Sequence, residues 1–61
     1  LNINLATKED LMTIDGIGET IANRIIEYRN VYGPFTSLDQ LLEIDKIGEK
    51  TLEKWKSFLT I

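Results

Sequence analysis

The sequence contains no cysteine and no histidine in its 61 residues. The lack of cysteine excludes a disulfide framework, and the lack of both residue types excludes the usual thiolate and imidazole zinc sites. No apolar run approaches the roughly 20 residues of a membrane span. The sequence also has no charged segment followed by an apolar one that resembles a secretion signal. Core packing alone must therefore hold the fold together.

The chain is one small domain, residues 1–61, near the lower size limit for an independent hydrophobic core. Such a chain has no room for a catalytic cleft. Its aspartates and glutamates are scattered with no convergent cluster, so the sequence predicts no catalytic residue and no metal site. The first residue is Leu1 rather than methionine, and we expect the chain to be cut from a longer protein.

Basic residues are outnumbered, with seven lysines and arginines against ten aspartates and glutamates and a formal net charge of -3. Nucleic-acid-binding domains are more often basic, so the net charge argues against nucleic-acid binding. Three lysines nevertheless recur at every fourth position, which places them on one helix face: Lys46, Lys50 and Lys54. This lysine stripe fits either an anion-binding surface or an ordinary solvated face.

The strongest feature is an internal repeat with an offset of thirty residues. Each copy combines a short helix, a tight glycine-containing turn and a longer helix. The sequence therefore predicts an all-α domain of two packed units, about residues 5–32 and 35–61, related by an approximate two-fold axis. The two patterns are Leu11-x-x-Ile14-x-Gly16-Ile17-Gly18-x-x-x-Ala22-x-x-Ile25 and Leu41-x-x-Ile44-x-Lys46-Ile47-Gly48-x-x-x-Leu52-x-x-Trp55.

Caps and apolar periodicity predict the helix boundaries. Thr7 with Asp10, and Ser37 with Gln40, are capping-box pairs. Gly33 before a proline should stop the long helix. The expected elements are an extended lead-in at residues 2–5, a short helix ending near residue 14, a long helix at 20–32, a short helix at 38–42 and a last helix at about 49–58.

The predicted core takes one face of each helix. Trp55 occupies the repeat position of Ile25, which favours packing over base stacking. Arg29 is expected on the exposed rim. The other side chains expected to pack inward are Ile21, Tyr28, Tyr32, Phe35, Thr51, Leu52, Phe58 and Leu59.

The first turn has the composition of an anion site. Gly16 permits backbone angles that a side chain resists, and Gly18 lacks the side chain that would keep a phosphate from the next helix's amides. Ile17 plugs the space between the helices, and Ala22 lets them cross closely. The first amides of the long helix would face outward with the positive end of its dipole. The alternative is that a tight turn simply needs glycine.

The pattern from Leu11 to Ile25 resembles the helix-hairpin-helix family. The doubled form, preceded by residues 2–7 and joined by residues 32–35, is similar to the C-terminal domain of ComEA-like competence proteins over nearly the whole chain. Related doubled hairpins occur in the transcription accessory protein Tex. The resemblance implies binding of double-stranded DNA without sequence preference, through phosphates across the minor groove, with no small-molecule substrate.

The resemblance also implies a setting and a contact surface. ComEA-like proteins capture DNA outside the cytoplasmic membrane during transformation, held there by an anchor that would precede this chain; another host protein would be cytoplasmic. No cofactor is expected, although turn carbonyls would suit a monovalent cation. The implied contacts are Gly16, Ile17, Gly18, Glu19, Thr20, Ile21 and Arg24 in the first unit, and Lys46, Ile47, Gly48, Glu49, Lys50, Thr51 and Lys54 in the second.

Two departures from the family pattern concern the second unit. Lys46 replaces the first turn glycine, and Leu52 replaces the small residue at the helix crossing, so we expect a wider or reoriented hairpin. Two other functions stay open. The domain is either a protein-interaction or structural module that has lost DNA binding, or the DNA-positioning part of a larger nucleic-acid enzyme or transcription accessory protein.

Overall fold

A computed structural model describes all 61 residues and shows an all-α fold, as the sequence predicts. The only β-type pairing is an isolated parallel bridge between Asn2 and Thr60. No helix has both the length and the apolar character needed to cross a membrane. The elements are α1 (Lys8–Met12), α2 (Glu19–Tyr32), a 3-10 helix (Leu38–Glu43) and α3 (Glu49–Trp55).

Side-chain caps begin α1 and the 3-10 helix. Thr7 accepts a hydrogen bond from the backbone N–H of Asp10, whose carboxylate accepts one from the N–H of Thr7. Ser37 and Gln40 form the second capping box. Both predicted boxes are confirmed, although the second opens a 3-10 helix. Gly33 ends α2 with φ 90°, a left-handed conformation that suits glycine.

The last helix is shorter than predicted, because α3 ends at Trp55 and not at Phe58. The backbone N–H groups of Phe58 and Leu59 both donate to the carbonyl of Trp55, at 2.9 Å each, and this tightens the chain into a turn. The prediction that Phe58 packs inward is therefore wrong. Phe58 is 57% exposed, and Leu59 is buried.

The chain ends meet, and this accounts for the early end of α3. The N–H of Thr60 donates to the carbonyl of Leu1, and the N–H of Ile3 donates to the carbonyl of Thr60, both at 2.8 Å. The expected extended lead-in is instead a turn, in which the N–H groups of Leu5 and Ala6 donate to the carbonyl of Asn2. Ile3, whose N–H takes part in this pairing, is fully buried in the core.

All 14 buried residues are hydrophobic. Residues 11–25 and 41–55 have the same succession of buried, half-buried and exposed positions, one for one. The repeat is thus a repeat of core positions. Its buried members are Leu11, Ile14, Ile17, Ala22 and Ile25, matched by Leu41, Ile44, Ile47, Leu52 and Trp55.

Polar side chains join the N-terminal segment to the rest of the domain. Arg29 donates from Nη1 to the carbonyl of Ile3 at 2.7 Å, so the expectation of an exposed rim arginine is wrong. A buried carbonyl favours a charged donor, since an unpaired one is costly. Asn4 pairs with the backbone of Phe35 in both directions: its Oδ1 accepts the Phe35 N–H at 2.7 Å, and its Nδ2 donates to the Phe35 carbonyl at 3.0 Å.

Aromatic rings continue the core toward the surface. Phe35 is buried, as predicted, and the ring of Tyr28 stacks on it with centroids 5.0 Å apart. The ring of Tyr32 contacts that of Tyr28, with centroids 4.7 Å apart, but Tyr32 is 73% exposed. Its predicted packing role is therefore wrong beyond this one contact.

The paired Asn4 amide gives a testable consequence. Asn4→Ala should lower the free energy of unfolding by about 1–3 kcal/mol, because it leaves partly buried backbone groups of Phe35 without partners. Urea unfolding followed by circular dichroism measures this. Asn23→Ala is the matched control, since Asn23 is exposed on α2 and alanine is a better helix former. Equal stability of the two variants would contradict the assigned role.

Candidate functional site

The two hairpin turns have the same backbone hydrogen bonds. The N–H of Ile17 donates to the carbonyl of Ile14 at 3.0 Å, and the corresponding bond from Ile47 to Ile44 is 3.2 Å long. The first full turn of each following helix closes at 2.9 Å, onto Gly18 and onto Gly48 respectively. The distortion expected from Lys46 and Leu52 is therefore not found in the turn itself.

Lys46 accepts the backbone conformation that glycine has in the first copy. Gly16 has φ 94° and Lys46 has φ 75°, and Lys46 is the only non-glycine residue with positive φ. A residue with a Cβ pays roughly 1–2 kcal/mol for this left-handed conformation. Both hairpins thus have a positive φ at this position, whether the residue is glycine or lysine.

Gly18 and Gly48 are different, because their backbone does not require glycine. Both are extended, with φ -93° and ψ -173° at Gly18 and φ -103° and ψ 174° at Gly48. A Cβ added to either residue would meet nothing within 4 Å. Each residue precedes a helix without giving it a side-chain cap, so the first helical N–H groups stay open to a ligand.

The implied contact residues differ in exposure. Ile17 and Ile47 are buried as plugs and offer backbone groups only. Ile21 and Thr51 are half-buried, and for Thr51 this replaces the expected inward-facing position. The remaining side chains of the contact set are exposed at the surface: Glu19, Thr20, Arg24, Lys46, Glu49, Lys50 and Lys54.

Glu19 has a partner that the sequence reading missed. Nζ of Lys8 in α1 donates to a carboxylate oxygen of Glu19 at 3.0 Å, and the positive charge of Lys8 partly offsets the negative charge of Glu19. Glu49 forms no ion pair in the structure. Both glutamates stand in the first turn of a helix, where a negative side chain is favoured by the dipole.

Lys56 lies outside the lysine stripe and is engaged by acidic neighbours. Its Nζ is 3.2 Å from Glu53 and 3.5 Å from Asp39. The hydrogen bond to Glu53 raises the pKa of Lys56, and the charges of Glu53 and Asp39 add to this effect. By contrast, Lys46, Lys50, Lys54 and Arg24 form no ion pair with any carboxylate.

Arg24 lies on the helix that follows the first turn and also faces the segment that leads into the second turn. It lines a surface depression together with α2 residues and the segment 43–45. The same depression includes Tyr28, whose pKa is raised by partial loss of hydration and by the charge of Glu43. Arg24 is the one basic residue of this depression, whose other charged residues are Glu27, Glu43 and Asp45.

Trp55 makes a hydrogen bond between the two units. The side chain is buried, as predicted, and its Nε1 donates to the carbonyl of Asp15 at 3.0 Å. The only sequence signal for this bond was that a buried indole N–H needs an acceptor. The identity of the acceptor depended on how the units pack.

Comparisons with known proteins agree with this architecture. A family model described as helix-hairpin-helix motif matches residues 1–60. Among curated proteins, the chain is 43% identical over 61 residues to ComE operon protein 1 of Bacillus subtilis (strain 168), and the match covers all of this chain and 30% of that protein.

Other relatives come from different settings. The chain is 41% identical over 56 residues to human (Homo sapiens) endonuclease/exonuclease/phosphatase family domain-containing protein 1, a match covering 92% of this chain and 10% of that protein. It is 46% identical over 55 residues to an uncharacterized protein of Haemophilus influenzae (strain ATCC 51907 / DSM 11121 / KW20 / Rd), covering 88% of this chain and 49% of that protein. The chain thus spans half or less of each of these relatives. With the doubled hairpin and the family match over nearly its whole length, this chain belongs to the helix-hairpin-helix family.

Proposed function

We propose that this domain binds double-stranded DNA through backbone phosphates, without sequence preference, at its two hairpin turns. The observation that carries the proposal is the pair of uncapped helix starts at Gly18 and Gly48. Neither glycine is required by its backbone angles or by neighbouring atoms. A ligand that must approach the backbone closely supplies the missing reason for glycine.

The other two helix starts provide an internal contrast. Thr7 and Ser37 cap α1 and the 3-10 helix through their hydroxyl oxygens. The sequence therefore uses side-chain caps where no hairpin turn precedes the helix, and omits them after both turns. An uncapped helix start presents N–H groups and a partial positive charge, which together suit a phosphate oxygen.

The net charge of -3 is compatible with this proposal because of where the cations lie. Three of the seven basic residues are held by protein groups: Lys8 by Glu19, Arg29 by the Ile3 carbonyl, and Lys56 by two carboxylates. The remaining four are the unpaired cations of the proposed contact set, Arg24, Lys46, Lys50 and Lys54. Phosphate contacts carry no sequence information, hence the expected indifference to base sequence.

For the host protein, the first candidate is the DNA-receptor domain of a ComEA-like protein acting in DNA uptake, outside the cytoplasmic membrane. Its support is the match over the full chain to ComE operon protein 1. The second candidate is a DNA-positioning module within a larger enzyme. Its support is the 41% identity to proteins named for an endonuclease/exonuclease/phosphatase family domain, of which the match covers 10%. The full-length sequence decides between them.

Charge reversal tests the mapped surface. Lys50→Glu with Lys54→Glu should weaken duplex binding without unfolding the domain, since both side chains are exposed and unpaired. If roughly three to five phosphates are neutralised, the logarithm of affinity falls against the logarithm of salt with a slope of about -3 to -4.5, and the variant's slope is shallower. Gel-shift titrations at several salt concentrations measure both. No saturable binding of the unaltered domain at low salt would favour a protein-interaction module instead.

Capping the open helix starts should raise stability and lower affinity together. Gly18→Asn and Gly48→Asn each add a neutral cap worth a few tenths of a kcal/mol. The side-chain oxygen of the new asparagine accepts from the backbone N–H groups that a phosphate would otherwise contact. We expect affinity to fall roughly tenfold per turn. Ser37→Gly is the control, because it removes a cap away from the turns and should lower stability while leaving binding intact. Asparagine variants that bind as tightly as the original would argue against phosphate contact.

Lys46 allows a similar separation of stability from binding. Lys46→Gly relieves the left-handed strain and should raise the free energy of unfolding by up to about 1 kcal/mol. Lys54→Gly, placed inside α3, should lower it by about 1 kcal/mol. Both variants lose one cation and should weaken DNA binding. Thermal unfolding and the same titrations measure the two effects, and unchanged or tighter binding of Lys46→Gly would remove Lys46 from the contact set.

A further inference from the structure

We propose that Trp55 is a positioning residue for the first hairpin turn: a side chain of the second unit that holds the turn of the first unit in its DNA-binding geometry. This inference rests on the proposed function and deepens it. Trp55 touches no ligand in this scheme. It acts through Asp15 and Gly16, the residues that lead into Ile17 and Gly18.

The contact is specific and crosses between the units. The indole Nε1 donates to the carbonyl of Asp15 at 3.0 Å, from forty residues further along the chain. The same nitrogen would lie 3.4 Å from a Cβ built on Gly16, and Cζ2 would lie at 3.6 Å. The edge of the indole thus rests on the backbone at Asp15 and Gly16. Trp55 itself is 2% exposed, so the ring has little freedom to leave.

The turn has a reason to need such a contact. Gly16 sits at φ 94°, and glycine can leave this conformation more easily than any other residue. Each excursion would rotate the following backbone and turn the N–H groups after Gly18 away from a shared phosphate. A hydrogen bond to the preceding carbonyl restricts these excursions before DNA arrives. Preorganised contacts bind more tightly because less freedom is lost on binding.

The second turn lacks this contact. The residue at the corresponding position is Ile25, whose side chain has no hydrogen-bond donor. The second turn instead carries Lys46, whose Cβ limits the backbone more than glycine does. The effect of Trp55 on DNA binding should therefore be confined to the first turn, and this asymmetry makes the inference testable.

The experiment is a pair of double-mutant cycles at low temperature, where all variants are folded. Trp55→Phe should weaken duplex binding about three- to tenfold. Combined with Gly18→Asn, which already disables the first turn, it should add little. Combined with Gly48→Asn, it should retain its full effect. The control is Ile25→Val, which perturbs the core at the equivalent position and should not couple to either glycine.

Amide hydrogen exchange gives a readout without DNA. Trp55→Phe should speed exchange at the Ile17 N–H, which is bonded across the first turn, and leave the Ile47 N–H of the second turn unchanged. A second variant covers the case in which phenylalanine packs poorly. The chain of 61 residues is within reach of chemical synthesis, and benzothienylalanine at position 55 keeps the ring shape while removing the N–H donor.

The outcomes separate the two claims. If Trp55→Phe and the benzothienyl variant weaken binding equally with either glycine substitution, or leave exchange at Ile17 unchanged, Trp55 is only a core residue and the inference is overturned. If neither asparagine substitution alters DNA binding, the proposed phosphate contacts fail. Exchange at Ile17 would still report whether the indole holds the turn.

Discussion

The arrangement depends on one constraint: the chain must bury an isoleucine at each hairpin and expose its backbone at the very next residue. Ile17 and Ile47 are plugs in the core, and Gly18 and Gly48 directly follow them at the surface. The core therefore fixes the position of the first amides of α2 and α3. The buried plug and the proposed phosphate contact are therefore adjacent residues, so the close-packed core restrains the backbone of the proposed site directly.

A domain this small has little apolar surface to bury, and it uses its polar groups for distinct structural tasks. Asn4 and Arg29 satisfy backbone groups where the N-terminal segment meets the second half of the chain. Thr7 and Ser37 cap helices that stand away from the turns. The first N–H groups of α2 and α3 have no side-chain cap, and Arg24, Lys46, Lys50 and Lys54 form no ion pair. This division is compatible with the proposed binding of phosphates by a chain of net negative charge.

Local patterns made much of the fold predictable. The spacing of apolar residues gave the core faces and the repeat, and both capping boxes and the stop at Gly33 depend on neighbouring residues only. Two of the errors have a common origin in contacts between distant segments. Phe58 is exposed rather than buried where the C-terminus pairs with Leu1 and Ile3, and Arg29 donates to the Ile3 carbonyl from the long helix. At the site, the glycine turns were foreseeable, whereas the engagement of Lys8 and the placement of Arg24 required the packed units.

The two hairpins also show which feature of the repeat the fold maintains. Gly16 and Lys46 differ in size, charge and flexibility, yet both hold a left-handed angle and the same hydrogen bonds follow them. Ala22 and Leu52 differ at the helix crossing, yet both are buried. The two copies thus share a backbone conformation rather than residue types. Different residues can adopt this conformation if other contacts compensate. Under this view the indole of Trp55 and the Cβ of Lys46 are alternative restraints on equivalent turns, one supplied by the opposite unit and one by the turn itself.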